Sequence, residues 1–412
     1  MGHNERMPGI EIDLDALERD MWEIIAFPSV GGSDAEVDVQ QWCADKLDEI
    51  GLEVDHWQLD LNALRGMDDY PGEEVERLEA WGVVGVSRPG DPALILNGHV
   101  DVVPPGDLAS WADADPYSMR EVDGQWYGRG ACDMKAGVVA IIAAARAVKG
   151  LQLSRPFAVH TVIGEEDGGL GTFAALHQGH TGDACVIAEP TDRDIVSANA
   201  GSLTFQIVVR GSATHGSMRH TGVSALEKFQ ILHDELRKLE DSRNANPPEP
   251  FGDNPWPLSV GVVHAGDWAS TVPDVLVAEG RYGIMPGESF VAAKSAFAEA
   301  LFRATMSDPW LRENIPELTW PGGHFAPGRL PEGHDLLGEV SAAVIAAGAP
   351  EPNAVGAPYG SDLRQYAAAG IPTVQYGPGN VRYAHSVDEH VPIDEVIACA
   401  KAYAHLIIAR CS

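Results

Sequence analysis

Apolar and polar positions follow two rhythms along this chain, and the change from one to the other marks out its organisation. Leu14, Leu17, Met21, Ile24 and Ile25 recur at helical spacing behind Asp13, an N-cap residue, and the pattern stops at Pro28. A second helix is predicted from Ser33 and Asp34, with Cys43, Leu47 and Ile50 on one face and Gly51 as its stop. Runs at 81–86, 93–96, 157–163 and 184–187 read as strands, and 93–96 is continuously apolar, as in a parallel sheet buried on both faces. Between them the small residues of 136–148 predict a helix packed close to its neighbours, and 172–176 predict another. Strands alternating with helices predict an α/β fold, a mixed sheet flanked by helices.

From residue 203 the rhythm changes. A strand at 203–210, an amphipathic helix at 223–239, strands at 258–263 and 275–285, a helix at 289–305 and a short strand at 317–320 give the order βαββαβ of a ferredoxin-like α+β unit. The Pro/Asn-rich stretch 244–257 interrupts it as an exposed loop. Beyond 331 the first rhythm resumes, with a helix at 336–347, a turn-rich segment at 355–361, a strand at 373–376 and a closing helix at 394–409. The expected organisation is one domain of residues 1–197 and 326–412 with a smaller domain, 198–325, inserted into it.

Composition narrows the function classes. The 412 residues are 45% apolar and 22% charged, an ordinary globular balance. No apolar run approaches the ~18 residues of a membrane-spanning helix, and the polar, acidic start does not read as a secretory signal, so a cytoplasmic protein is expected. Against 61 Asp and Glu stand 28 Lys and Arg, a net charge of −33. That field repels phosphate backbones and anionic membranes, so neither nucleic acid nor membrane is an expected partner. Five cysteines, odd in number and widely spaced, fit neither a disulfide framework nor a CxxC metal site.

The chemistry lies at strand ends. The strand at 93–96 runs into Asn97-Gly98-His99-Val100-Asp101, and in open α/β sheets the carboxyl edge is where sites are found. A strand-like His-x-Asp points both side chains one way, so the Asp can hold one imidazole nitrogen while the other binds a metal. Asp133 follows a Gly-rich turn at the entrance of the small-residue helix, where by itself it would be an ordinary cap. Glu165, Glu166 and Asp167 follow the strand at 157–163; consecutive acids are usually a solvated loop, but adjacent carboxylates can also divide labour as ligand and general base. Glu189 follows the strand at 184–187, and His385 arrives near the C-terminus. Five such placements together point to a metal site of His and carboxylate donors without Cys, suited to Zn²⁺ as well as Mn²⁺ or Co²⁺.

These motifs, in order Gly-His-Val-Asp, Gly-Arg-Gly-Ala-Cys-Asp-Met-Lys, Gly-Glu-Glu-Asp, Ala-Glu-Pro and His-Ser-Val-Asp-Glu, resemble those of the acetylornithine deacetylase and succinyl-diaminopimelate desuccinylase family of co-catalytic zinc hydrolases, with its glutamate carboxypeptidase and aminoacylase relatives. The resemblance runs from about residue 13 to the C-terminus. It implies two Zn²⁺ per subunit, with His99 and Glu189 on one, Glu166 and His385 on the other and Asp133 bridging both. Asp101 would orient His99, and Glu165 would be the general base for a bridging water. A cis peptide after Asp133 is implied as well. The inserted domain resembles the family's lid and dimerisation domain, which implies a homodimer. There His215, in Gly-Ser-Ala-Thr-His-Gly-Ser, would stabilise the oxyanion, and Arg364, in Gly-Ser-Asp-Leu-Arg, would pair with a substrate carboxylate, its alternative being a plain salt bridge.

Two places depart from the family pattern. Ser270 stands where many relatives have Asn, and Gly283 where many have Arg. The remaining histidines, among them His160, His177, His180, His233 and His405, read as structural or surface residues. The expected function is metal-dependent hydrolysis of the amide bond of an N-acyl amino acid or related small, carboxylate-bearing amide. A dipeptidase or carboxypeptidase is the alternative within that class, and a metal-containing binding protein without turnover the alternative outside it; an intact Glu165 beside the ligand Glu166 argues against the latter.

Overall fold

The computed structural model of the protein describes residues 10–412. The chain divides into two compact units: one runs up to Ser197 and includes Arg329–Val355 and Gln365–Ser412, and the other comprises Ala198–Gly328 and Gly356–Arg364. The sequence reading set its boundary at 325/326 and left 356–364 with the larger domain. That stretch groups with the smaller unit because its carbonyls are tied there: Ala200 N–H donates to Ala357 O at 2.9 Å and Arg281 Nη2 to Pro358 O at 2.8 Å.

The larger unit is built on a mixed sheet. Leu94–His99 lies between Phe157–Val162 and Cys185–Ile187, parallel to both, and Thr373–Gln375 runs parallel beyond Cys185–Ile187. Trp81–Val86 and Glu53–Gln58 continue one side antiparallel, and Ile195–Asn199 borders Thr373–Gln375 antiparallel. Every residue of Leu94–His99 and Phe157–Val162 is buried, which is why these strands lack polar alternation. Glu53–Gln58 escaped the sequence reading because its half-exposed position makes it polar at alternate residues.

The helices follow from their caps and faces. Asp13 Oδ1 accepts the N–H of Ala16 at 3.0 Å, and Leu14–Ile25 buries Leu17, Met21, Ile24 and Ile25, the stripe that the spacing predicted. Ala136–Ala147 is buried along nearly its whole length and packs against Leu14–Ile25 and Ile393–Cys411. Gly137 sets how close it comes: a Cβ there would lie 2.2 Å from the Ala188 carbonyl oxygen, beside the strand end that carries Glu189. Any larger residue would push this helix away from the sheet edge.

The smaller unit is an antiparallel sheet in the order Leu258–Ala265, Val275–Ile284, Gly201–Arg210, Glu317–Thr319. Leu203, Phe205, Ile207 and Val209 alternate inward onto a core shared with Phe229, Leu232 and Leu236 of Ala225–Arg243 and Phe297 and Leu301 of Phe290–Ser307. Each large apolar side chain so buried contributes about 1.5–3 kcal/mol. The βαββαβ order is the one that the sequence pattern predicted. Leu258–Ala265 ends the sheet with its residues beyond Leu258 mostly exposed.

Candidate metal centre

Parallel strands bring their carboxyl ends to one edge, and that register assembles the site. His99 pairs with Val162, so the chain leaving Leu94–His99 and the chain leaving Phe157–Val162 emerge together; Asn97 pairs with Ile187, which places the Glu189 turn beside them. Asp133 enters from the turn before Ala136–Ala147, and the Asp133–Met134 peptide is cis. His385 arrives on the loop after the short helix Val381–Tyr383.

The five side chains converge. His99 Nε2 lies 3.1 Å from Asp133 Oδ1 and 3.8 Å from Glu189 Oε1. His385 Nε2 lies 3.2 Å from each Glu166 carboxylate oxygen and 3.6 Å from Asp133 Oδ2. Asp133 therefore turns one oxygen towards each histidine. Donor atoms of His99, Asp133 and Glu166 lie within 4.8 Å of one another, as do those of His99, Glu165 and Glu189. Glu165 is thus at the centre with the other acids, and buried.

Hydrogen bonds around these residues fix their direction. His99 Nδ1 lies 3.0 Å from the Asp101 carbonyl oxygen, which can only accept, so Nδ1 carries a proton and Nε2 is the nitrogen turned towards the acids. The Asp101 carboxylate is 3.6 Å from Nδ1, beyond hydrogen-bond range. Its two oxygens instead accept the N–H groups of Glu165 and Glu166, each at 3.2 Å. Asp101 thus orients His99 through its backbone and positions the two glutamates through its side chain, a second task that the sequence did not reveal.

Electrostatics at the site follow from burial and from the crowding of charge. Burial, then the charge of Asp133, raises the Glu166 carboxyl above its ordinary value, and burial raises Asp101. Burial would raise Asp133 too, but the hydrogen bond from His99 and the charges of both histidines hold it below its usual range. Burial opposes a charge on His99; its bond to Asp133 and the surrounding acids outweigh that and raise its pKa. His385 is raised to about 9, chiefly by its hydrogen bond to Glu166. A crowd of buried carboxylates sharing two imidazoles is the setting in which metal cations bind.

A family model described as Peptidase family M20/M25/M40 matches residues 95–409. The chain belongs to that family. M20 membership makes it a hydrolase of amide C–N bonds. It is similar to an N-formyl-4-amino-5-aminomethyl-2-methylpyrimidine deformylase of Bacillus subtilis, 29% identical over 91% of this chain and 89% of the relative. It is also similar to a succinyl-diaminopimelate desuccinylase of Xanthomonas campestris, 28% identical over 93% of this chain and 96% of that protein. In fold it resembles a di-peptidase of Saccharomyces cerevisiae, at TM-score 0.76 and 14% identity, covering 96% of this chain and 95% of that one.

Two residues named from the M20 motifs lie in the smaller unit. His215 is exposed, and its Nδ1 accepts the backbone N–H of Ser217 at 3.2 Å, which places the ring proton on Nε2. Arg364 is buried, with its guanidinium 4.1 Å from the centre of the Phe325 ring and Nη1 donating to Ser361 O at 3.1 Å. The sequence reading passed over Arg281. It stands two residues before Gly283 on the same strand and therefore on the same face. Its Nη2 donates to the Pro358 carbonyl oxygen, and burial lowers its pKa to about 10.

Sequence reasoning also assigned no role to Glu389 and Arg129. Glu389 Oε1 accepts the N–H groups of Cys132 and Asp133, both at 3.0 Å, and its Oε2 accepts from Arg129 Nη1 at 2.6 Å. This buried pair holds the turn that presents Asp133. Glu389 stood inside a quoted motif, but a charge that acts on a distant backbone leaves no spacing signal.

Proposed function

We propose that the protein is a two-zinc deacylase that hydrolyses the amide bond of an N-acyl amino acid or a related small amide. The observation that carries this reading is the convergence of His99, Asp133, Glu166, Glu189 and His385, with Glu165 beside them. Two imidazoles and three carboxylates without a thiolate suit Zn²⁺, and also Co²⁺ or Mn²⁺. His99 and Glu189 would hold one ion, Glu166 and His385 the other, and Asp133, with an oxygen towards each histidine, both. When bound, such ions polarise the scissile carbonyl and acidify water.

The chain's own groups perform the proton transfers and the positioning. Glu165 takes a proton from the attacking water and delivers it to the leaving nitrogen, a task for a carboxylate beside the ligands. Asp101 keeps Glu165 and Glu166 in place through their backbone N–H groups. His215 presents Nε2–H as a donor for the carbonyl oxygen as it gains charge. Arg364, with Arg281 as a second cation, would hold a substrate carboxylate in a protein whose overall field repels anions.

A homodimer through the smaller unit is supported by its edge strand, where Val262 and Val263 are 43% and 47% exposed, with Trp268 at 73% just beyond. Val263→Lys should then shift the mass measured by light scattering from dimer to monomer. A cytoplasmic setting fits five cysteines that are all buried and in no disulfide, and among the described residues no helix is long and apolar enough to cross a membrane.

The decisive test is amine release by the Zn²⁺-loaded protein from N-formyl, N-acetyl and N-succinyl amines and amino acids, beside dipeptides with a free amine. Turnover confined to the acyl compounds supports the deacylase. Turnover confined to the dipeptides would replace it with a dipeptidase, and none in either series would replace it with a binding role.

A further inference from the structure

We propose that Arg77 is a positioning residue for the metal centre: through Asp167 it fixes the turn that carries Glu165 and Glu166, and so the half of the centre formed by Glu166 and His385. The inference rests on the two-metal reading and extends it to a side chain far from the ligands in sequence.

Arg77 is 1% exposed and shared between two carboxylates. Its Nε and Nη2 donate to Glu36 Oε2 and Oε1, both at 2.9 Å, and Nη1 donates to Asp167 Oδ2 at 2.8 Å. Asp167 is the residue after Glu166. Its Oδ2 also accepts the N–H groups of Glu74 and Val75 at 3.2 and 3.1 Å, so one oxygen gathers three donors from the segment 74–77. Glu36 in turn accepts the N–H of Gly32 at 2.6 Å, which fastens the guanidinium to the start of Asp34–Glu49.

The backbones of the two segments are also in contact. A Cβ at Gly168, where φ is +155°, would lie 2.1 Å from the Gly72 carbonyl oxygen, and one at Gly164, φ +64°, would lie 3.2 Å from Arg77 Nη2. Arg77 therefore touches the start of the turn directly and holds its far side through Asp167. The Asp101 carboxylate takes the Glu165 and Glu166 N–H groups from within. The two glutamates are thus held between a carboxylate and an arginine clamp, while Asp133 has a separate one in Arg129 and Glu389. Removing the Arg77 cation leaves Glu36 and Asp167 buried without their shared partner, and the turn must move or take in water.

A residue that only stabilises the fold and one that positions Glu166 differ in what their loss does to the two ions. The experiment uses the full chain with Arg77→Met, Arg77→Lys and Asp167→Asn, measures Zn²⁺ stoichiometry and affinity by calorimetry and elemental analysis, and follows the melting of the apo forms. It also splits kcat from KM on a turned-over amide. Wild type should bind two ions. Arg77→Met and Asp167→Asn should keep the tighter ion and bind the other roughly 10–100-fold more weakly. Their kcat should fall by about 10²-fold at saturating zinc with KM unchanged, the cost of glutamates misplaced by about 1 Å. Arg77→Lys should restore part of both, since an ammonium reaches Asp167 but cannot grip Glu36 with two parallel bonds. Two ions bound as in wild type with kcat unchanged would overturn the proposal, as would equal weakening of both ions alongside a lowered melting temperature. Wild type binding no zinc would instead overturn the two-metal reading itself. If Arg77→Met does not fold, Asp167→Asn carries the same comparison.

Discussion

The two histidines of the centre are held in opposite ways. His99 ends a central strand, is 1% exposed, and has its outer nitrogen fixed by the Asp101 carbonyl. His385 sits on a loop at φ +60° with 54% of its side chain exposed, and Glu166 is its hydrogen-bonding partner. The sheet builds one half of the site before any ligand arrives, whereas the other half depends on a loop and a clamped turn. Preorganisation of this kind predicts unequal ions, one held tightly at His99 and one exchanging at His385.

The largest effect should come from the group that serves both halves. Glu165→Gln should lower kcat by about 10²–10⁴-fold with both ions still bound, as read by elemental analysis of the purified variant. A variant that loses an ion together with activity would make Glu165 a ligand and redraw the centre around it. Next in size, His385→Ala should retain one zinc and lose the other, with a weakening beyond the roughly 10–100-fold that a supporting residue costs; His99→Ala should lose the tight ion. Stepwise removal of zinc by a chelator in the wild type should show the same inequality as two phases. One indivisible phase would erase the distinction between the halves.

A smaller effect probes the buried side from behind. His160, opposite Asn97 in the sheet, is fully buried, and its Nδ1 meets the Tyr366 hydroxyl at 2.9 Å. Burial lowers its pKa from 6.5 to about 3. Between those values the unfolded chain takes up a proton that the folded chain refuses, so stability falls as pH drops below about 6.5, by up to ~1.4 kcal/mol per unit. Urea unfolding at pH 7.5 and 5.5 should show that extra loss in wild type, and His160→Gln should remove it.

Much of this was legible in the sequence because the chemistry sits where patterns end. Each apolar run that predicted a strand also predicted where its successor residue would emerge, so His99, Glu166 and Glu189 could be placed at one edge. The βαββαβ order was legible for the same reason. What the sequence hid were contacts between distant segments. Arg77 and Glu389 act on backbone and carboxylates far along the chain, and neither sits at the end of a periodic run. The stretch 356–364 reads as loop, and only its carbonyls, paired with Ala200 and Arg281, show which unit it serves. Asp101 was found as a partner of His99 by its spacing, yet spacing could not reveal that its carboxylate takes the Glu165 and Glu166 N–H groups.

The strand order also sets a sequence of events during synthesis. Thr373–Gln375 inserts between Cys185–Ile187 and Ile195–Asn199, so the sheet edge is complete only after residues 373–375 have been made. His99, Asp133 and Glu189 emerge long before His385 does, and domains tend to form from the N-terminal end as they appear. The nascent protein therefore carries most of the candidate donors well before the loop that brings His385 is made.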